Sequence, residues 1–276
     1  RREPTSHVAK RLSRLLRHRW NPFLTGSEGI RWLVMTKDTL GNAFARVEYG
    51  GGLPVAIYPL SHAPDVRRAD DGSAVFAYDG DTFTKPGTYL SDEIIWVKSP
   101  IIDTDGLYGV SLAEVAAREL GLSIDLEDFY IRLMRNGNHF PGYLETDKEL
   151  RPQDITKLKE QFEDGAGIIA AGKVRIFDNG LSYKQSDLTM ADMSLVDQER
   201  WVLQQTCRTL SVPPQEVFDL SNATYSNIEQ GARNFANKTL VTEAVTIEQA
   251  FNDVLWGAGH REEYVRFNMD GLLRGD

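Results

Sequence analysis

Apolar and polar positions along the chain change period several times, and each change marks a different element. Between Ser27 and Leu40, the apolar Ile30, Leu33 and Val34 share a helical face with Lys37. That spacing predicts a helix capped by Ser27 and closed by Gly41 in a left-handed conformation. After Gly41 the period shortens to two. Ala43–Tyr49, Val55–Tyr58, Val75–Tyr78 and Ile94–Val97 read as strands, with Gly50-Gly51-Gly52 and Asp70-Asp71-Gly72 as turns between them. Residues 41–100 therefore form a small, mainly β module.

From Ser111 the helical period returns. Leu112, Val115, Ala116, Leu122, Leu126, Phe129, Tyr130 and Leu133 make a broad apolar stripe that ends at Asn136-Gly137, and Ser111 with Glu114 forms a capping box. Roughly 25 helical residues extend about 38 Å, long enough for a stalk. Residues 138–187 read as a small α/β insertion. Pro152 opens a helix with Ile155, Leu158 and Phe162 on one face, and strands follow at Ile168–Ala171, Val174–Phe177 and Leu181–Tyr183 around Asp178-Asn179-Gly180. Met193–Leu210 is the second long helix, with Val196, Leu203, Thr206, Cys207 and Leu210 on one side. Two long helices thus bracket a small domain. After a loop at Val212–Tyr225, Ser226–Leu255 reads as a helix kinked near Thr242. Ser226 and Glu229 form its capping box, Phe235, Ile247, Phe251 and Val254 are its anchors, and Arg261–Arg266 is a last strand. The alternation of strand and helix blocks gives an α+β fold.

Composition narrows the class. At 276 residues, 41% hydrophobic and 26% charged, the chain buries a real core. No apolar run reaches the ~20 residues of a membrane span, and no apolar h-region follows the basic start, so no membrane partner and cytosolic synthesis are expected. The single Cys207 excludes an internal disulfide and supplies no metal framework. Charge is uneven. Arg1, Arg2, Lys10, Arg11, Arg14, Arg17 and Arg19 stand against Glu3 alone in residues 1–19, a net +6 that leaves −15 on the remainder of a chain of −9. Val8, Leu12, Leu15 and Leu16 are interleaved at helical spacing. The segment is an amphipathic helix, either docked as an arm or offered to an acidic partner or nucleic acid.

Candidate chemistry is sparse. Asp103-Thr104-Asp105-Gly106 places its glycine fourth rather than sixth, so an Asx-type turn is expected there instead of a calcium loop. The glycine clusters at 50–52 and 165–172 lack the Lys-Ser or Lys-Thr of a phosphate-binding loop. His7, His18, His62, His139 and His260 are scattered, Ser182, Ser186 and Ser194 have no nucleophile-elbow context, and paired acids such as Glu127/Asp128 read as solvated faces. Neither a cofactor nor an enzymatic activity is expected. What stands out is Pro214–Thr224, where Val217, Phe218 and Leu220 sit among Gln215, Glu216, Asp219, Ser221, Asn222 and Thr224. A neighbouring subunit would bury those three apolar groups.

The residues around that loop also carry a resemblance. Val212-Pro213-Pro214 is followed by Tyr225-Ser226-Asn227-Ile228-Glu229-Gln230 and then Phe235, Thr239 and Leu240. Upstream lie Gly41-Asn42-Ala43-Phe44, Gly106-Leu107-Tyr108-Gly109-Val110-Ser111, and Asn136-Gly137 through Pro141-Gly142. The set closes with Arg266-Phe267-Asn268-Met269-Asp270-Gly271-Leu272-Leu273-Arg274-Gly275-Asp276. In this order the pieces resemble tailed-bacteriophage portal proteins of the HK97 type, from about Ser27 to the last residue.

The resemblance implies a portal-like fold. It has a basic N-terminal arm at 1–26, a mixed β/α wing at 27–110 and 226–276, stem helices at 111–137 and 188–211, a small α/β clip at 138–187 and a tunnel loop at 212–225. The family's crown would follow residue 276 and is expected to be absent, which weakens a headful-sensing or scaffold-binding role. The implied assembly is a ring, usually of twelve copies, at the capsid portal vertex of the virion, made in the bacterial host cytoplasm. Double-stranded DNA passes through it during packaging and ejection. The implied partners are the chain itself, the terminase large subunit, head-completion or adaptor proteins and the major capsid or scaffold protein. Gln215, Glu216, Asp219, Asn222 and Thr224 would face DNA, Lys184, Arg200 and Arg208 would touch phosphates, and Lys157, Lys159, Glu160 and Glu163 would form the clip docking face. An acidic ring guides DNA without gripping it, because tight grip comes from Lys and Arg at phosphates. Two alternatives stay open: a monomeric adaptor in a virion assembly, and a DNA-processing enzyme, which needs a carboxylate or metal cluster that the sequence does not offer.

Overall fold

A computed structural model describes residues 6–135, 143–147, 151–163, 182–184, 194–221, 225–255 and 264–269. The chain divides into two compact units, Arg1–Ala117 with Cys207–Asp276, and Arg118–Thr206.

The first unit is layered around a central sheet. Its elements are α1 (His7–Arg17), β1 (Arg19–Asn21), β2 (Leu24–Thr25), α2 (Gly26–Leu40), β3 (Asn42–Gly50), β4 (Leu53–Pro59), β5 (Asp65–Arg68), β6 (Ala74–Tyr78), β7 (Gly87–Leu90), β8 (Ile94–Lys98) and α3 (Leu112–Val115). Strand β3 lies between β4 and β8, antiparallel to both, and β5, β6 and β7 form a second antiparallel sheet. The two-residue period of β3 explains how both faces are used. Ala43, Ala45 and Val47 point into a cluster with Ile57, Ile95, Val97, Leu12, Leu15, Trp20, Leu33 and Phe251. Phe44 points the other way, into a cluster with Leu60, Val66, Phe76, Tyr78 and Ile94. Helices thus cover one face of the sheet and β5–β7 the other. Phe44 stacks on Trp96 at 5.4 Å and meets Phe76 edge-on at 6.2 Å, the favoured geometries for ring quadrupoles.

Several predicted boundaries shift. The cap of α2 is Thr25, not Ser27. Thr25 accepts from the Glu28 amide while the Glu28 carboxylate accepts from the Thr25 amide, a full capping box. Gly41 closes the helix as expected, at φ 80°. The basic segment is docked: Leu12 and Leu15 are buried in the core, and Trp20 behind them is wholly buried. Gly29 of α2 lets the Trp20 ring approach, since a Cβ there would lie 2.3 Å from it. The four strands read from the sequence are β3, β4, β6 and β8. The hairpin β1–β2 and the short strands β5 and β7 carry too few apolar residues for the alternation to reveal them.

The expected single helix from Ser111 breaks early. Ser111 Oγ accepts from the amides of Ala113 and Glu114, but Ala116 leaves helical geometry at ψ 9°. A new helix, α4, then runs Ala117–Arg135. The second unit adds β9 (Tyr143–Glu145), α5 (Pro152–Glu163), β10 (Ser182–Lys184) and α6 (Leu195–Thr209), the last of which ends in the first unit. Strand β9 was not expected and pairs antiparallel with β10. The strands expected at 168–171 and 174–177 lie outside the described residues.

Beyond α6, Pro214–Val217 is a single 3-10 turn, followed by α7 (Tyr225–Phe235), a π-helical turn at Ala236–Leu240 and α8 (Val241–Leu255). The π turn, with the Val241 amide donating to the Ala236 carbonyl, sits just before the kink expected near Thr242. Ser226 lies inside α7, which already begins at Tyr225, and the Glu229 carboxylate accepts from Arg233 one turn on. Ile247, Phe251 and Val254 anchor α8 in the helix-side core. Of the last strand expected at Arg261–Arg266, residues 264–266 are not a strand and 261–263 lie outside the described residues. Side chains of α8 hold this segment, with Asn252 bonding both backbone polar groups of Val265 and Glu248 accepting from the Phe267 amide.

Candidate functional site

Two of the motifs that carry the resemblance meet in space. The Asn42 carboxamide donates to the Gly109 carbonyl and accepts from the Gly109 amide and from Trp96 Nε1. The Ser99 amide donates to the Gly41 carbonyl, and Ser111 Oγ donates to the Thr39 carbonyl. Gly41 and Gly109 cross so closely that a Cβ on either would lie 2.2 Å from the other's carbonyl oxygen. The Asp103 carbonyl accepts from the Gly106 amide and Asp103 Oδ1 from the Leu107 and Tyr108 amides, so Asp103–Gly106 is a turn whose side-chain bonds reach further along the chain than the expected Asx turn. Tyr108 Oη then accepts from the Val66 amide. This clasp fixes the point where the chain leaves the sheet for α3 and α4.

The loop after α6 is built from its own backbone. The Glu216, Phe218 and Asp219 amides donate to the carbonyls of Pro213, Gln215 and Pro214, and Phe218 takes a left-handed φ of 63°. Thr239 Oγ1 donates to the Ser211 carbonyl, tying the loop to the π turn. Of the residues expected to face DNA, Glu216 is exposed, whereas Gln215 and Asp219 are half-buried. Gln215 lies near Gly231 of α7. Asp219 accepts from the amide and hydroxyl of Ser221. Burial, with the Asp219 carboxylate beside it, pushes the Cys207 thiol up from its ordinary range. Asn222 and Thr224 lie outside the described residues. The most exposed part of the loop is apolar: Phe218 is 90% exposed, with Val217 and Leu220 also open.

In the second unit, Tyr130 of α4 lies within electrostatic range of Glu199 of α6. Burial, and then the Glu199 carboxylate, push the Tyr130 phenol up. Of the expected stripe, Ala116 and Leu133 are buried, Leu112, Leu126, Phe129 and Tyr130 are half-buried, and Val115 and Leu122 are exposed. Leu120, Ile124, Ile131 and Met134, which the stripe left out, are exposed as well. On α6 Val196 is exposed, contrary to its assignment to a packed side, and Val202, which the sequence reading passed over, is buried beside the expected Cys207.

The remaining candidates are dispersed. Lys184 pairs with Glu145 across β9–β10 at 2.5 Å, and Arg200 lies 4.0 Å from Asp197 on its own helix. Arg208 is exposed in the last turn of α6. Lys157 is exposed on α5, and Lys159, Glu160 and Glu163 belong to the same helix. No group of three or more metal-ligating side chains occurs among the described residues.

Comparison with known proteins follows the same outline. The sequence model of a family described as phage portal protein matches residues 2–276. The portal protein of Enterobacteria phage HK97 is 28% identical over 274 residues, covering 96% of this chain and 63% of that protein. An uncharacterised protein of Rickettsia bellii is 23% identical over 239 residues, 83% of this chain and 61% of its own length. The chain therefore spans less than two thirds of both relatives. Among solved structures, an HK97 family phage portal protein from Corynebacterium diphtheriae superposes with a TM-score of 0.66 at 12% identity, over 91% of this chain and 81% of that one. A chain from the neck of a native gene transfer agent particle superposes with a TM-score of 0.60 at 21% identity, over 89% and 71%. The α+β fold is portal-like, and a family match running through both units makes this chain a member of the phage portal protein family.

Proposed function

We propose that this chain is a ring-forming portal subunit at one capsid vertex, a conduit for double-stranded DNA rather than an enzyme. The observation that carries the reading is the family match across residues 2–276, which takes in the sheet, both long helices and the loop. The exposed apolar groups support it. A closed ring needs a heterologous interface, in which one face meets a different face of the next copy. The open sides of α4 and α6 offer such faces, and Val217, Phe218 and Leu220 project from the loop toward whatever lies beside it. The wing is then residues 27–110 with 226–276, the stem 111–137 and 188–211, the clip 138–187 and the tunnel loop 212–225. Exposed Glu216 faces the passing duplex in this arrangement, and α5 with Lys157 is the face for terminase and head-completion proteins. The gene transfer agent neck solved with C12 symmetry supports twelve copies.

Light scattering and negative-stain imaging over a concentration series test the reading. Rings with a mass many times 31.1 kDa are expected. A mass that stays at one copy at every concentration would favour the monomeric adaptor instead.

A further inference from the structure

Helix α1 presents a face that the conduit reading does not use. At about 100° per residue, His7, Lys10, Arg11, Arg14, Arg17 and His18 fall within an arc of about 120°. The opposite arc carries Ala9, Leu12 and Leu15 into the core. All six basic side chains are exposed. None of Lys10, Arg11, Arg14 and Arg17 has a carboxylate within ion-pair distance among the described residues, although the chain as a whole carries −9. Glu28, on the adjacent α2, is engaged by Thr25 at that helix's cap and has Arg31 and Arg19 for its charge partners. A docked helix needs its apolar face and nothing else. Four uncompensated cations over about 10 Å repel one another, so they are explained by a polyanion that is not part of this chain.

We infer that the outer face of α1 binds the phosphate backbone of duplex DNA without regard to sequence. Duplex DNA offers one negative charge per ~1.7 Å of axis, and this stripe of Lys and Arg spans several such charges. Arginine predominates, and its planar fork suits bidentate phosphate contact. Contacts made to phosphate oxygens position the duplex and carry no sequence information. The helix is held rigidly by Leu12, Leu15 and the cap in which Ser6 Oγ accepts from the Ala9 amide, so little ordering entropy opposes binding. The contact is separate from the tunnel loop and stands whether or not the ring reading holds.

Fluorescence anisotropy with two short duplexes of unrelated sequence tests it. Four phosphate contacts predict a slope of log affinity against log salt near −3.6, or roughly a 150-fold loss between 50 and 200 mM salt, equal for both sequences. A Lys10→Gln, Arg11→Gln, Arg14→Gln, Arg17→Gln variant keeps the buried face, which circular dichroism checks. It should lose that affinity and nearly all of the slope. Arg14→Gln alone should reduce the slope by about 1. Arg67→Gln with Arg68→Gln, on β5, should leave binding unchanged. Unaltered DNA binding by the fourfold variant overturns the inference. So does loss of ring mass with DNA affinity intact, which would assign the face to acidic groups of a second copy. Binding to phosphatidylserine vesicles with none to DNA also overturns it. A chain that stays monomeric yet loses DNA binding in the fourfold variant sinks the ring and upholds this contact.

Discussion

Val47, Ile57, Ile95 and Val97 in the central sheet are 2% exposed or less, whereas Ile124 on α4 and Val196 on α6 are 61% and 65% exposed. The side chains are of the same kind, so the difference lies in what each region is built to meet. The sheet is covered on one side by α1, α2 and α8 and on the other by β5–β7, and it is complete within one copy. The two long helices leave most of their apolar side chains to solvent. Contiguous exposed apolar surface marks an interface, whereas scattered exposed leucines mean little. The first unit buries its apolar side chains within the chain, whereas the long helices of the second leave many of theirs exposed.

The sharpest way to break this contrast is a paired truncation. Phe251→Ala removes a ring 1% exposed that meets Trp20 at 5.7 Å, and it should cost about 3–5 kcal/mol in urea unfolding. Ile124→Ala with Val196→Ala should change stability by no more than ~0.5 kcal/mol per site while abolishing higher-mass species in light scattering. Equal stability losses in both would end the distinction.

A smaller effect is expected at Lys37, whose side chain is wholly buried beneath the sheet-side helices. Its ammonium reaches Asp38 at 2.6 Å and Glu243 of α8 at 2.5 Å, carboxylates that keep some access to water. Burial alone would lower its pKa, but the two carboxylates outweigh it and raise the value above 10.5. Lys37→Ala should cost about 2–3 kcal/mol at neutral pH, less than a fully buried pair because the carboxylates can rehydrate. The sign with pH follows from the raised value. The contribution is whole below the unfolded-state pKa and disappears as pH climbs through the folded-state one. The gap between wild type and variant, followed by urea midpoints, should therefore close above about pH 10.5. A gap that instead closed toward acid would mean that the carboxylates dominate.

The smallest effect is expected in the loop. Phe218 has a positive φ and 90% exposure, so Phe218→Gly relieves the backbone and removes no internal packing. Stability should move by less than ~0.5 kcal/mol, and any loss of ring formation in the same variant would locate the side chain at a contact between copies.

Much of the first unit was legible because β3, β4, β6 and β8 have buried faces that impose alternation, and α8 has a stripe that reaches the core. Strands β5 and β7 were not, since a strand such as Asp65–Arg68 buries a single residue, Val66. The break at Ala116 was hidden because helix propensity and the Ser111 cap both favour continuation there, and only tertiary contact buries that alanine. Ser226 was read as a cap from the local Ser-x-x-Glu spacing, whereas α7 already starts at Tyr225. The loop's composition pointed to an open surface, but the half-buried position of Gln215 and Asp219 depends on α7 and the end of α6, which local spacing does not encode. Asn42 and Gly109, 67 residues apart, were noticed as separate motifs, and their mutual hydrogen bonds give both a physical reason.

The π turn at Ala236–Leu240 sets an azimuth. A turn of this kind holds one residue more than its α counterpart, so the preceding helix is rotated by roughly 100° about the common axis relative to a continuous one. Deleting one residue there would rewind the turn and swing the anchorage of the Pro214 segment around that axis, with every core side chain of α8 left in place. Length alone, without any change of chemistry, would in this way re-aim that segment relative to the core.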